Sequence, residues 1–172
     1  MKFILSLLFV FASALSWSQS GNYFLSHHSP SQERFDYVCF DMAQDSKGVM
    51  YFATKAGILE FDGRDWDLLQ GQSAIYSIQI DAGGTMYWGG TKGFGKIALD
   101  KHGFQQIQRL SDSTVTNVFQ SMIVNDHVFF LTEDAVYALN TKTEKISTIK
   151  KTAPENTFLR LFELFGVAYA NT

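Results

Sequence analysis

Between residues 37 and 109, apolar and polar positions alternate in short runs that are cut by clusters of Asp, Gly, Ser and Lys, a strand pattern rather than a helical one. Residues 37–43 read as a strand, Asp45-Ser46-Lys47-Gly48 as a tight turn, and residues 49–54, β-branched and aromatic, as a second strand. Lys55-Ala56-Gly57 turns again, 58–61 makes a third strand, Asp62-Gly63 signals a two-residue hairpin, and 65–69 supplies a fourth. The next unit repeats the plan, with strands predicted at 75–80, 85–89, 95–99 and 104–109 and the turn Asp100-Lys101-His102-Gly103 before the last.

The two units are copies. Asp45, Gly48, Met50, Tyr51 and Gly57 meet identical residues 36 positions on, at Asp81, Gly84, Met86, Tyr87 and Gly93, and the aromatic Phe52 meets Trp88. Thr54-Lys55 meets Thr91-Lys92 at an offset of 37, which predicts one extra residue at Gly89-Gly90 as a bulge or lengthened turn. A diverged third unit spans 118–149, with Asn125-Asp126-His127 in place of the Asp-x-x-Gly turn and Asn140-Thr141-Lys142-Thr143 closing its outer hairpin. A fourth opens near Phe158, turns at Gly166 and begins its second strand at 167–170. Residues 158–165 could form a helix by periodicity alone, but their place in the repeat favours a strand.

Four short antiparallel strands recurring every 35 to 45 residues or so are the pattern of a β-propeller blade. The predicted fold is therefore all-β, an incomplete ring of about three blades and the start of a fourth, at about 37–70, 74–110, 117–150 and 157–172. The repeated Asp45, Gly48, Gly57, Asp81, Gly84 and Gly93 are read as structural: the carboxylates bond their own turns, and the glycines allow φ > 0.

Residues 1–18 change the picture of where the chain works. Lys2 precedes an apolar run from Phe3 to Leu15, and Ser16-Trp17-Ser18 offers small residues for cleavage near Ser18-Gln19, which predicts a signal peptide and an exported, periplasmic or extracellular product. That run is too short to span roughly 30 Å of hydrocarbon as a helix. Residues 19–36 form a lead-in. The chain carries a net charge of −3, about −4 once Lys2 is removed, which gives no electrostatic footprint for nucleic acid. The single Cys39 cannot form an internal disulfide and reads as a small core hydrophobe.

Residues 44–66, from Gln44-Asp45-Ser46-Lys47-Gly48-Val49-Met50-Tyr51 to Phe61-Asp62-Gly63-Arg64-Asp65-Trp66, resemble the two-component regulator propeller repeat. The first unit matches that pattern well, the second moderately and the third weakly. The resemblance implies the periplasmic sensor region of the large regulators common in Bacteroidetes, in which seven-bladed propellers precede a three-tyrosine domain, a membrane helix and a kinase or DNA-binding output. It implies no output activity for these 172 residues.

Candidate chemistry is sparse. His27-His28 point to opposite sides of an extended chain and make a poor metal pair; Asp62, Asp65 and Asp67 read as a solvated face. The glycine-rich run 89–95 has the wrong order for a phosphate loop. No catalytic motif occurs, so neither enzyme activity, a cofactor nor a metal is expected. Fold-level analogy places ligands on loops around a propeller channel, which singles out Thr54, Lys55, Thr91 and Lys92, with Trp88 as a stacking surface for sugar. The leading expectation is an exported sensor piece that binds a small molecule or glycan. The alternatives are a secreted protein that self-associates through open blade edges, and a truncated product with no independent function; a propeller-based lyase or glycosidase has no residues in its favour.

Overall fold

The computed structural model describes Ser26, His28, Ser29 and residues 38–69, 73–99, 102, 104–151, 153 and 157–172. The predicted leader, its cleavage point, His27 and the start of the first predicted strand lie outside these. The chain divides into Met1–Ser31 and Gln32–Thr172. In the first unit the described residues are exposed, and His28 Nε2 lies 3.1 Å from Ser26 Oγ.

The described residues of the second unit are all-β, fourteen strands in four antiparallel sheets, each sheet a meander in chain order. Blade 1 holds β1 (Cys39–Gln44), β2 (Met50–Thr54), β3 (Gly57–Phe61) and β4 (Trp66–Leu69); blade 2 holds β5 (Ile75–Ile80), β6 (Met86–Gly90), β7 (Gly93–Leu99) and β8 (Gln105–Arg109). Blade 3 holds β9 (Gln120–Val124), β10 (His127–Leu131), β11 (Ala135–Asn140) and β12 (Ile146–Lys150), and a hairpin of β13 (Arg160–Leu164) and β14 (Val167–Asn171) begins a fourth. The stretch at 158–165 is strand, not helix, because Leu161 and Phe158 are buried against Leu131 and Val136 of blade 3. Neighbouring blades meet most closely through their first strands, β1 against β5, β5 against β9 and β9 against β13, as propeller blades do, and the four sheets do not close into a ring.

The repeated aspartates build the repeated turns. Asp45 Oδ1 accepts from Lys47 N at 2.8 Å and Val49 N at 3.0 Å; Asp81 Oδ1 accepts from Gly83 N at 2.9 Å and Thr85 N at 2.8 Å. Gly48 and Gly84 close these turns at φ 89° and 84°, a region that a side chain disfavours. In blade 3 the shorter Asn125-Asp126 turn puts Asn125 itself at φ 53°.

Two expectations are corrected. The predicted extra residue at Gly89-Gly90 is absent: Gly90 pairs with Gly93 as Thr54 pairs with Gly57, so both units have the same two-residue turn. Thr91-Lys92 therefore corresponds to Lys55-Ala56, and the offset of 37 is a coincidence of residue type. The register does shift, but in the innermost strands, where Phe40 and Tyr76 are each the additional residue opposite a regular β2 or β6. These bulges fall at equivalent positions, and their rings meet edge to face at 5.1 Å. Cys39 is exposed rather than buried, its Sγ donating to the Asp41 carbonyl at 3.2 Å beside the first bulge.

The core lies between blades, not within them. Tyr51, Ala53 and Ile58 of blade 1 pack on Ile75, Ile78, Met86 and Trp88 of blade 2. Tyr87 and Phe94 of blade 2 pack on Val128, Phe130 and Leu139 of blade 3, with Phe94 and Phe130 stacked at 4.2 Å.

Candidate functional site

Of the five residues singled out as ligand contacts, Thr54, Lys55, Thr91 and Lys92 sit at the ends of the second strands and the turns after them and Trp88 in the middle of β6, and their side chains do not share one surface. Thr54 is buried, and its hydroxyl donates to Gly57 O at 2.9 Å while accepting from Ala56 N at 3.2 Å, so it holds its own turn. Trp88 is only 3% exposed. Its cross-strand partner is Gly95, where an added Cβ would come within 2.8 Å of the indole Cζ2, so the ring lies over bare backbone inside the blade 1–blade 2 core and offers no stacking surface to solvent. The pairing of a large aromatic with a glycine two positions past a turn is the sequence signal for that burial. Thr91 hydroxyl donates to Ala74 O at 3.3 Å; Lys55 and Lys92 are exposed.

Among the described residues, three clefts are lined by other residues. Two are small, about 170 Å³ at Thr114–Asn117 against Thr132, Glu133, Asp134 and Tyr137, and about 190 Å³ between Ser111, Val115, Tyr137 and Ile146. Both fall below the roughly 300 Å³ at which small-molecule sites begin. The third, about 370 Å³, lies between blades 1 and 2 on the side of the Asp45 and Asp81 turns, opposite to Thr54 and Thr91. Asp45, Ser46, Lys47 and Tyr51 form its blade 1 wall; Ile80, Met86, Ile97, Ala98 and Gln105 form the blade 2 wall, and Gly83-Gly84 leave its rim without side chains.

The polar atoms converge at Tyr51. Asp45 and Gln105 line the cleft with it, and burial, reinforced by the Glu60 and Asp45 carboxylates, pushes the phenol above its ordinary range. Glu60 pairs across the strands with Tyr51 and with Asp67. Its carboxyl is also pushed up, chiefly by burial and then by Asp67, Asp45 and Asp62. Asp62 is held below its ordinary value by backbone bonds from Asp65 and Arg64, both 2.8 Å from Oδ1. The surroundings of this cleft are thus polar and acidic, relieved by Lys47 at the rim.

The corresponding gap between blades 2 and 3 is bridged. Tyr87 repeats Tyr51, donates to Asp81 Oδ2 at 3.2 Å, and is pushed up to about 12 by burial and the Asp81 charge. Lys96 stands where blade 1 has Glu60, and it crosses to Glu144 of blade 3 as an ion pair. Within the repeat, lysine stands at this position beside the bridged gap and glutamate beside the open one. Sequence reading missed the cleft because its residues come from two blades, on five strands and two turns. Among the described residues no group of three His, Cys, Asp or Glu side chains could hold a metal, and no helix is long and apolar enough to cross a membrane.

No family model matches the chain, and no curated protein matches it in sequence. In structure it is similar to the extracellular domain of BT4673 from B. thetaiotaomicron, named in one structure as part of a one component system: TM-score 0.61, 17% identity, 77% of this chain covered and 19% of that one. A second structure of that extracellular domain, named as part of a hybrid two component system, gives a TM-score of 0.60 at 16% identity with the same coverage. The chain thus spans about a fifth of the length of these relatives, and at such identity the likeness carries the blade fold alone.

Proposed function

We propose that this chain is the N-terminal part of an exported propeller sensor, that it takes up a small neutral polyhydroxy ligand of the glycan class in the cleft between blades 1 and 2, and that the output lies beyond these 172 residues. The observation that carries the reading is the contrast between the two gaps, one bridged by Lys96 and Glu144, the other open, about 370 Å³, and equipped with Tyr51, Gln105 and Asp45 above an apolar floor. The apolar leader at 3–15 and the extracellular origin of the similar structures support export. The charge around the site selects against anions: Asp45, Glu60, Asp62 and Asp67 would repel a uronate, while hydroxyl groups can bond the Gln105 amide and the Tyr51 phenol.

Thermal-shift and calorimetric titrations of the purified chain with neutral and uronic-acid oligosaccharides test this directly. A neutral sugar should raise the melting temperature, and Gln105→Ala should weaken its binding by roughly tenfold, the worth of one hydrogen bond to a buried ligand. Binding of uronates in preference to neutral sugars, or neutral-sugar binding untouched by Gln105→Ala and Tyr51→Phe, would overturn the assignment.

A further inference from the structure

Where blade 2 meets blade 3, three positions that carry larger side chains at the other blade boundaries are small. Asp41, Ser77 and Gln120 pair with Ala53, Gly89 and Leu131, so each trio occupies one position of the repeat. Ile78, Ser121 and Leu161 share a third position, opposite Trp88, Phe130 and Ala170. At the boundaries on either side, the first of these positions crosses to the inner strand of the following blade. Asp41 Oδ2 accepts from Ile78 N at 2.9 Å, and Gln120 bonds both Leu161 N and Leu161 O. Between blades 2 and 3 the three positions hold Ser77, Gly89 and Ser121.

Both serine hydroxyls are turned into that boundary. Ser77 faces blade 3 as Asp41 faces blade 2, and Ser121 faces blade 2 as Ile78 faces blade 1. They are 3% and 5% exposed, and neither Oγ bonds a protein group. The Ser121 main chain adds to them. Ile78 N and both Leu161 groups turn to the open edge of their inner strands, where the preceding blade bonds them, and Ser121 shares their register on the edge strand β9. Val118, itself 0% exposed, stands beside Ser77: an added Cβ at Gly89 would lie 2.6 Å from Val118 Cγ1 and 2.8 Å from Ser77 Oγ. Its methyl groups close the site on that side and satisfy neither serine.

We infer that one water molecule is held between Ser77 and Ser121, bonded to both hydroxyls and to the Ser121 main chain, in the place that the Asp41 and Gln120 side chains take at the neighbouring boundaries. A buried water makes about three hydrogen bonds to groups that otherwise go unsatisfied, and these groups offer that number. Hydroxyls donate and accept, and water does both, so it completes either orientation of each serine. Ordering it has an entropy cost, so it satisfies the serines and leaves the holding of the blades to other contacts. The site lies between two complete blades and apart from the Tyr51 cleft, so it is independent of the ligand reading.

A high-resolution crystal structure and urea unfolding of the full chain test this together. In the wild type a density peak should lie within about 3 Å of both Ser77 Oγ and Ser121 Oγ, and the double variant Ser77→Ala, Ser121→Ala should lose it. In solution each single alanine variant should raise the unfolding constant roughly fivefold, the worth of one hydrogen bond. The double variant should fall short of the product of the two, because the first substitution already loosens the shared water. Dry hydroxyls predict the opposite sign, since each alanine would then remove an unpaired buried group and stabilise the chain. No peak, a direct Ser77–Ser121 hydrogen bond in its place, alanine variants at least as stable as the wild type, or single effects that simply multiply would each overturn the inference.

Discussion

Replacing Gln120 by alanine should loosen the β13–β14 hairpin without unfolding the rest. The side-chain amide donates to Leu161 O at 3.0 Å and accepts from Leu161 N at 2.8 Å, so one residue satisfies both backbone groups on the open edge of β13. Each neutral bond contributes about 0.5–1.5 kcal/mol net, which makes the pair worth about 2 kcal/mol. The hairpin has few other ties: Leu161 and Phe158 in an apolar cluster, and Asn125 Nδ2 donating to Gly166 O at 3.0 Å. An opening free energy lowered by about 2 kcal/mol raises the open population by roughly thirtyfold, because each 1.4 kcal/mol or so is a factor of ten. Amide hydrogen exchange reads this at one site. The Leu161 amide should exchange roughly thirty times faster in Gln120→Ala, while Ile78, held by Asp41, keeps its wild-type rate. Gln120→Glu retains the acceptor and loses the donor, so it should fall between. The reasoning fails if Leu161 exchange is unchanged, or if Ile78 accelerates equally, which would mean that blades open only together.

Two further predictions concern titration. The Glu60 carboxyl is raised in the folded chain, so between the ordinary glutamate value and its folded one the native state holds more proton than the unfolded state, and stability falls as pH rises through that window. Glu60→Gln should accordingly raise the melting temperature at pH 7 and not at pH 4; equal shifts at both would exclude a charge effect. For Tyr87, pushed up to about 12 from an ordinary 10, stability should be lost as pH climbs from about 10 through about 12, with the phenolate band lagging the other tyrosines. Tyr87→Phe should remove that late step, and its persistence would assign it elsewhere.

The strands and turns were legible because they depend on residues close in sequence. Asp45 and Asp81 each bond two amides within four residues of themselves, and Gly48 and Gly84 sit where φ is positive, so spacing alone reveals them. The all-β class followed from the same local chemistry. Bulges at Phe40 and Tyr76 were not legible, because both units carry one at the same place and the offset between copies is unchanged. Exposure of Cys39 and burial of Trp88 likewise depend on neighbours from other strands and blades. The cleft was hidden for a related reason: Tyr51 looked structural, and Gln105 lies more than 50 residues away.

Comparison of Asp41, Ser77 and Gln120 shows that the unit of variation in this chain is the interface rather than the blade. Their partners across the strand are Ala53, Gly89 and Leu131, so the three are one position, facing the next blade each time. The first and third reach a backbone group of the following inner strand. Ser77 is too short to do so, and its hydroxyl and that of Ser121, which stands where Ile78 and Leu161 stand in their blades, are buried without a protein partner. An unpaired buried hydroxyl costs about 1–3 kcal/mol, so something else must hold blade 3 to blade 2. Gly89 permits it: a Cβ there would lie 2.6 Å from Val118 Cγ1, and its absence lets the segment before β9 come close enough for Val118 N to donate to Gly90 O at 3.0 Å and Asn117 N to Thr91 O at 3.3 Å. Main-chain pairing there takes over what a side chain does at the neighbouring interfaces. The Lys96–Glu144 pair adds a second bridge at the same boundary. Between blades 1 and 2 the side-chain link is Asp41 to Ile78 N, no ion pair among the described residues crosses that boundary, and the 370 Å³ cleft lies there.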